Sequence, residues 1–147
     1  MIPANRAYFG SKDYQQFLVI RQMAADLRMA VNVIPCPIVR DEDGLALSSR
    51  NRYLSSDERA QALSISRGLR LALAAVEAGE TDTAKLIVKI RQVLSDAGIQ
   101  RIDYVAIANP ETLAEVAVVR EPVIALIAAH VGETRLIDNL LLGPSSA

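Results

Sequence analysis

Residues 7–39 read AYFGSKDYQQFLVIRQMAADLRMAVNVIPCPIV, and the class of fold turns on this stretch. Ala7, Tyr8 and Phe9 form a short apolar run that stops at Gly10, the pattern of a strand end. Ser11 or Asp13 then offers a cap for a helix running to about Leu27, with Phe17, Ile20, Met23, Ala24 and Leu27 recurring at helical spacing on one buried face. Residues 31–39 are a second extended run. Pro35 and Pro37 lack the N–H that a ladder uses, so the far half of this run is expected at an edge or outside the sheet. Strand, helix, strand in that order is a βαβ fragment, which builds a parallel sheet with a right-handed crossover. Parallel strands are normally covered by helices on both faces. Two strands and one helix cannot supply that cover, so residues 1–39 are expected to be the end of a larger doubly wound α/β domain.

Beyond it, residues 40–51 make a polar, glycine-containing loop and the expected domain boundary. Ser55 followed by Glu58 is a capping-box signature. The helix it opens carries Ala62, Leu63, Ile65, Leu69, Leu73 and Val76 and stops near Gly79. Thr81 or Asp82 starts another, with Leu86, Ile87, Ile90, Val93 and Leu94 inward and Gly98 at its end. Residues 102–108 alternate as a strand, residues 110–116 read as a short helix, and residues 123–131 and 134–142 read as strands joined by a turn at Gly132 and Glu133. The expectation for residues 40–143 is a small α+β domain with a largely antiparallel sheet. Residues 144–147 read as a frayed tail.

Composition narrows the function classes. Of 147 residues 51% are hydrophobic, enough for a core, and the net charge of −1 argues against a nucleic-acid partner, which needs clustered basic excess. No apolar run reaches the length of a membrane span, and the first six residues lack the shape of a secretory leader, so a cytoplasmic protein with no membrane partner is expected. Cys36 is the only cysteine and His130 the only histidine, so neither a disulfide nor a Cys/His metal site is expected. Cys36 reads as a small buried hydrophobe and His130 as a satisfied structural side chain on an apolar strand.

Two segments carry candidate chemistry. Gly10, Ser11, Lys12 and Asp13 lie where a strand turns into a helix, and a helix N-terminus favours phosphate. Lys12 adds a charge there and Asp13 can accept from ribose hydroxyls; equally, Asp13 reads as a plain cap and Lys12 as solvated. Gln16, one turn along, can reach a substrate or stand in solvent. The second segment is DGLALSSRNRYL, residues 43–54. Ser48, Ser49 and Arg50 stand together behind Gly44, and an arginine fork with two hydroxyls is a donor set for polyphosphate. Such donors stabilise a leaving pyrophosphate with no proton transfer. The other reading is a serine-rich entry to the next helix with Arg50 and Arg52 on the surface. Asp41, Glu42 and Asp43 read as a solvated turn before a metal site. Arg135 and Asp138 read as a surface or inter-element pair, and Ser64 and Ser66 have no nearby partners for nucleophilic chemistry.

With both segments in hand, the chain resembles the pantothenate synthetase family, the pantoate–β-alanine ligases, over nearly its whole length but only the later half of those enzymes. AYFGSKDYQQ is similar to the family's YFGEKD(Y/F)QQ, with Ser11 in place of glutamate; VRDEDGLALSSRNRYL and the closing TRLIDN are also family-like. The resemblance implies an ATP-dependent ligase that activates pantoate as an acyl-adenylate, releases pyrophosphate, and lets β-alanine displace AMP, with magnesium accompanying ATP. It implies a Rossmann-like nucleotidyltransferase domain ending near residue 39 and a small hinged lid over residues 40–143. Gly10, Ser11, Lys12, Asp13, Val39, Leu47, Ser48, Ser49 and Arg50 would meet ATP, with Lys12, Ser48, Ser49 and Arg50 catalytic, and Gln16 would bind pantoate. The family's His-x-Gly-His element would lie upstream of Met1. The chain is therefore expected to be inactive alone, as a fragment or as half of a split or fused protein. Exposed apolar faces on the βαβ piece would drive self-association or leave residues before about Arg40 poorly ordered. Two other readings remain: a binding or assembly module that keeps the fold without the chemistry, and a different acyl-adenylate-forming nucleotidyltransferase.

Overall fold

The computed structural model describes residues 4–143, so the expected tail at residues 144–147 lies outside the described residues. The chain divides into two compact units, Met1–Val39 and Arg40–Ala147.

In the first unit β1 (Arg6–Gly10) and β2 (Asn32–Cys36) pair in parallel, from Arg6 opposite Asn32 to Gly10 opposite Cys36. The helix α1 (Tyr14–Asp26) makes the crossover. β2 ends at Cys36, three residues short of the expected run, because Pro37 has no N–H to extend the ladder. Two expectations for α1 are corrected. Its buried residues are Phe17, Leu18 and Ala24, whereas Met23 and Leu27 are 45% and 68% exposed. Leu27 is the C-cap, and at Arg28 the backbone turns left-handed (φ 49°), with Arg28 N–H donating to Ala25 O and Met29 N–H to Ala24 O. That closing loop carries Leu27 off the buried stripe. At the other end Asp13 occupies the cap position but its side chain makes no capping bond.

The second unit opens with α2 (Ser56–Glu77), whose reciprocal capping box joins Ser55 and Glu58. Asp82 caps α3 (Thr83–Asp96) by accepting from Ala84 and Lys85 N–H. Three antiparallel strands follow in spatial order: β3 (Ile102–Ala108), β4 (Val123–Val131) and β5 (Thr134–Leu142). α2 lies against β4 and β5, and α3 against β3. The core between helices and sheet holds Ile65, Leu69, Leu86, Ile90, Ile127 and Leu142. β4, paired on both sides, is nearly all buried, so its continuous apolar run is what a central strand requires. The β4–β5 turn puts Gly132 at φ 54°, and a Cβ there would strike the Glu58 carboxylate of the capping box. The hairpin tip and the helix start are thus packed as one corner.

Residues 110–116 are not the expected short helix. Asn109 Oδ1 accepts from Glu111 and Thr112 N–H, its carbonyl accepts from Leu113 N–H, and Leu113 sits at φ 58°. The asparagine side chain offers these amides a turn instead of a helical ladder. The chain then returns to bridge Glu115 with Ala108.

A bulge between Ile102 and Tyr104 leaves Asp103 as the extra residue of β3. Its carboxylate takes Arg135 Nε at 2.6 Å and faces His130 Nε2 at 3.3 Å, while His130 Nδ1 is buried without a partner among the described residues. Arg135 therefore pairs across the sheet rather than with Asp138, and His130 is only half satisfied. The hydrogen bond from Arg135, then the charges of His130, Arg135 and Arg101, hold the Asp103 carboxyl below its ordinary 3.8. A carboxyl whose pKa falls on folding stabilises the native state above its unfolded value and loses that contribution as pH drops through the folded one. Urea titrations of the chain should therefore show stability falling below about pH 4, with a shallower acid limb in Asp103→Asn. An acid limb unchanged by the substitution removes the pair from this account.

Candidate functional site

Residues 40–55, which open the second unit ahead of α2, form a braced loop. Arg40 bridges Ala46 across a tight turn in which Asp41 N–H donates to Leu45 O, Gly44 N–H to Asp41 O, and Leu45 N–H to Asp43 Oδ1. Gly44, at φ 93°, supplies the left-handed step, and the Arg70 guanidinium stands 2.7 Å from where a Cβ would sit. Arg59, from the first turn of α2, reaches back to Asp41 Oδ2 and Asp43 Oδ2, each at 2.7 Å. The acidic run is a turn open to solvent, with Glu42 exposed, but Asp41 and Asp43 are also held, their side chains 31% and 33% exposed. It is the anchor for an arginine. The Leu45 N–H first, and Arg59 after it, hold the Asp43 carboxyl below its ordinary range. Among the described residues no group of three or more His, Cys, Asp or Glu could hold a metal ion.

Leu45 and Ala46 are buried, and the chain emerges at exposed Leu47. Ser48 is extended and its Oγ accepts from Arg50 N–H at 3.2 Å, which starts a 3₁₀ turn over Ser49–Tyr53. Asn51 locks this turn from below: its N–H donates to Ser48 O and its Nδ2 to Ala46 O, leaving a buried Oδ1 without a partner among the described residues. Arg52 is engaged locally, with Nη2 on Tyr53 Oη and its guanidinium over the Tyr53 ring. Arg50 is different. It is exposed, and among the described residues its guanidinium has no hydrogen-bond or ion-pair partner.

In the first unit Gly10 is the last residue of β1, Ser11–Asp13 form a 3₁₀ turn, and Gln16 is exposed in the first turn of α1. A Cβ on Gly10 would meet nothing within 4 Å, so its approach side is open. Gly10 pairs with Cys36, so Val39, 65% exposed, leaves from the same carboxyl end of the parallel sheet. Open parallel sheets bind ligands at that end. Cys36 is a free, half-buried cysteine rather than one sealed in a core. The predicted residues thus gather in two groups: 10–13, 16 and 39 at one end of the small sheet, and 47–50 on the braced loop.

Sequence reasoning missed the side chains that hold the loop, namely Arg59, Asn51, and Asp138 with its partner Arg40. Arg40 lies 98 residues from Asp138, and Arg59 lies 18 and 16 residues from the two acids it bridges. No local spacing rule signals such pairs.

Comparison with known proteins gives one answer. A family model described as Pantoate-beta-alanine ligase matches residues 1–141. The chain is 52% identical over 143 residues to the pantothenate synthetase of Pseudothermotoga lettingae, covering 97% of this chain and 51% of that protein. It is similar in structure to the pantothenate synthetase of Thermus thermophilus, with TM-score 0.87 and 43% identity, over 92% of this chain and 49% of that one. It is also similar to the pantoate-β-alanine ligase of Francisella tularensis complexed with β,γ ATP and β-alanine, at TM-score 0.63 and 31% identity, over 96% and 46% of the two chains. The chain spans about half the length of the curated relatives it matches.

Proposed function

The chain belongs to the pantoate–β-alanine ligase family, and on that premise we propose that it carries the later half of an enzyme that joins pantoate to β-alanine at the expense of ATP. In this reading the first unit is the end of a Rossmann-like ATP-binding domain and the second is its lid. Residues 10–13 and Val39 meet the nucleotide, Lys12 faces its phosphates, Gln16 holds pantoate, and Leu47, Ser48, Ser49 and Arg50 cover the triphosphate. ATP enters as its magnesium complex, and the enzyme works in the cytoplasm. Among the described residues no helix is long and apolar enough to cross a membrane.

The chemistry proceeds in two displacements. A pantoate carboxylate oxygen attacks the α-phosphorus, and the bond to the β-phosphate oxygen breaks with pyrophosphate leaving. The β-alanine nitrogen then attacks the acyl carbon, loses a proton, and AMP departs. Negative charge accumulates on the leaving pyrophosphate in the first step, which is where a guanidinium fork and neighbouring hydroxyls act. The observation that carries the reading is the exposed Arg50 guanidinium, without a partner among the described residues, beside Ser48 and Ser49 on a loop that α2 braces through Arg59.

Because the relatives are about twice as long, the remaining contacts are assigned to the half this chain does not span. Given pantoate, β-alanine and Mg-ATP, the 147-residue chain should form no pantothenate by itself. Turnover by that chain alone would contradict the division of the site.

A further inference from the structure

We propose that Asp138 is a positioning residue for the phosphate-gripping donors at residues 48–50, acting through Arg40. The inference rests on the reading of those donors given above. Asp138 sits on β5, opposite Ile127 of the central strand, with its side chain only 3% exposed. Arg40, 26% exposed, meets it as a two-pronged pair: Nη1 to Oδ2 at 2.7 Å and Nη2 to Oδ1 at 3.0 Å. The acid's own strand adds one more donor, Asn139 N–H to Oδ1 at 2.8 Å.

What the pair holds is the loop. Arg40 Nη1 also donates to Gly44 O at 3.2 Å, and the Arg40 backbone bridges Ala46. Ala46 O in turn accepts from Asn51 Nδ2 at 3.2 Å, and Asn51 N–H closes on Ser48 O at 3.1 Å. A continuous hydrogen-bonded path therefore runs from the sheet, through one guanidinium, to the turn that presents Ser49 and Arg50. A bidentate fork fixes orientation as well as distance. An ion pair serving only to knit the sheet would join two strands. This one reaches from a buried position on β5 to the first residue of the unit and grips the loop at a carbonyl.

The test uses the 147-residue chain, amide hydrogen exchange, and inorganic pyrophosphate as the probe. In Asp138→Asn, amides of residues 41–51 should exchange about tenfold faster, the size expected for loss of a charge-assisted hydrogen bond. Amides of α2 and β4 should keep their rates once global unfolding is subtracted. The pyrophosphate dissociation constant, read from amide shifts at residues 48–50, should weaken by about the same factor. Asp138→Asn leaves Arg40 without its charge partner, so a variant that does not fold is replaced by Arg40→Lys. The lysine keeps a charge for Asp138 but loses the fork to Gly44, and should loosen the same residues alone. Uniform acceleration across the unit, or an unchanged loop, would overturn the proposal and leave the pair a purely structural one. If pyrophosphate shifts nothing in the unsubstituted chain, the phosphate reading of residues 48–50 fails instead, and the exchange pattern still decides whether Asp138 sets the loop.

Discussion

On the proposed reading, Arg50→Ala should lower ATP-dependent activation of pantoate by about 10²- to 10³-fold in the full-length enzyme, the usual cost of losing one pre-placed donor to developing charge. The fold survives the change. Arg50 is exposed and its guanidinium holds no partner among the described residues, so its removal should fall within about 0.5 kcal/mol, typical of surface positions. The loss should appear mainly in kcat, because the pyrophosphate bears more charge as it leaves than it does within bound ATP. Arg50→Lys recovers only part of the rate, since an ammonium is a point charge without the planar fork that meets two phosphate oxygens. Arg52→Ala provides the contrast: that guanidinium is already engaged by Tyr53, and its removal should alter turnover little. Pyrophosphate–ATP exchange reports the first displacement directly. Equal losses for Arg50→Ala and Arg52→Ala would show that general positive charge, not a placed donor, is at work.

The elements that were legible in the sequence share one property: their signals are local. Ser55 and Glu58 announce α2 three residues apart, Asp82 announces α3, and Gly132 with Glu133 joins two apolar runs into the β4–β5 hairpin. Where the signal was misread, a competing local force won. Asn109 drew its following amides into a turn where periodicity suggested a helix, and Arg28 took the left-handed position that exposes Leu27. The candidate site divides the same way. Ser48, Ser49 and Arg50 are readable because the donor types sit side by side. What braces them depends on longer-range pairs: Arg59 reaches back from α2 to Asp41 and Asp43, and Arg40 meets Asp138 only once the sheet has brought β5 beside the loop. Asp41 and Asp43 illustrate the ambiguity. On the page they are an acidic run, and only the position of Arg59 shows that their charge is already answered.

The rigidity of the second unit depends on how closely its two helices approach, and Ile90→Ala tests that contact. Ile90 on α3 is fully buried and its Cγ2 would lie 3.3 Å from a Cβ at Gly68 on α2. Removing three buried carbons should cost about 2–5 kcal/mol, through lost transfer energy and the cavity that remains. The urea midpoint of the helical signal should fall with the slope unchanged, marking lost stability rather than a different unfolded state. Gly68→Ala in the unsubstituted chain has two opposed effects. The helix gains about 1 kcal/mol of propensity, and the tight approach to Ile90 costs a similar amount, on the order of 1 kcal/mol. Its net effect should lie near zero. In the Ile90→Ala background the opposing atom is gone. The next nearest groups, the Ile90 Cα and carbonyl oxygen, stand at 3.8 Å, an ordinary contact. The new methyl then fills part of the cavity while keeping the full propensity gain, so the double variant should be more stable than Ile90→Ala by at least about 1 kcal/mol. Strict additivity across this cycle would mean that glycine is not there to admit Ile90, and that α2 and α3 are free to shift apart.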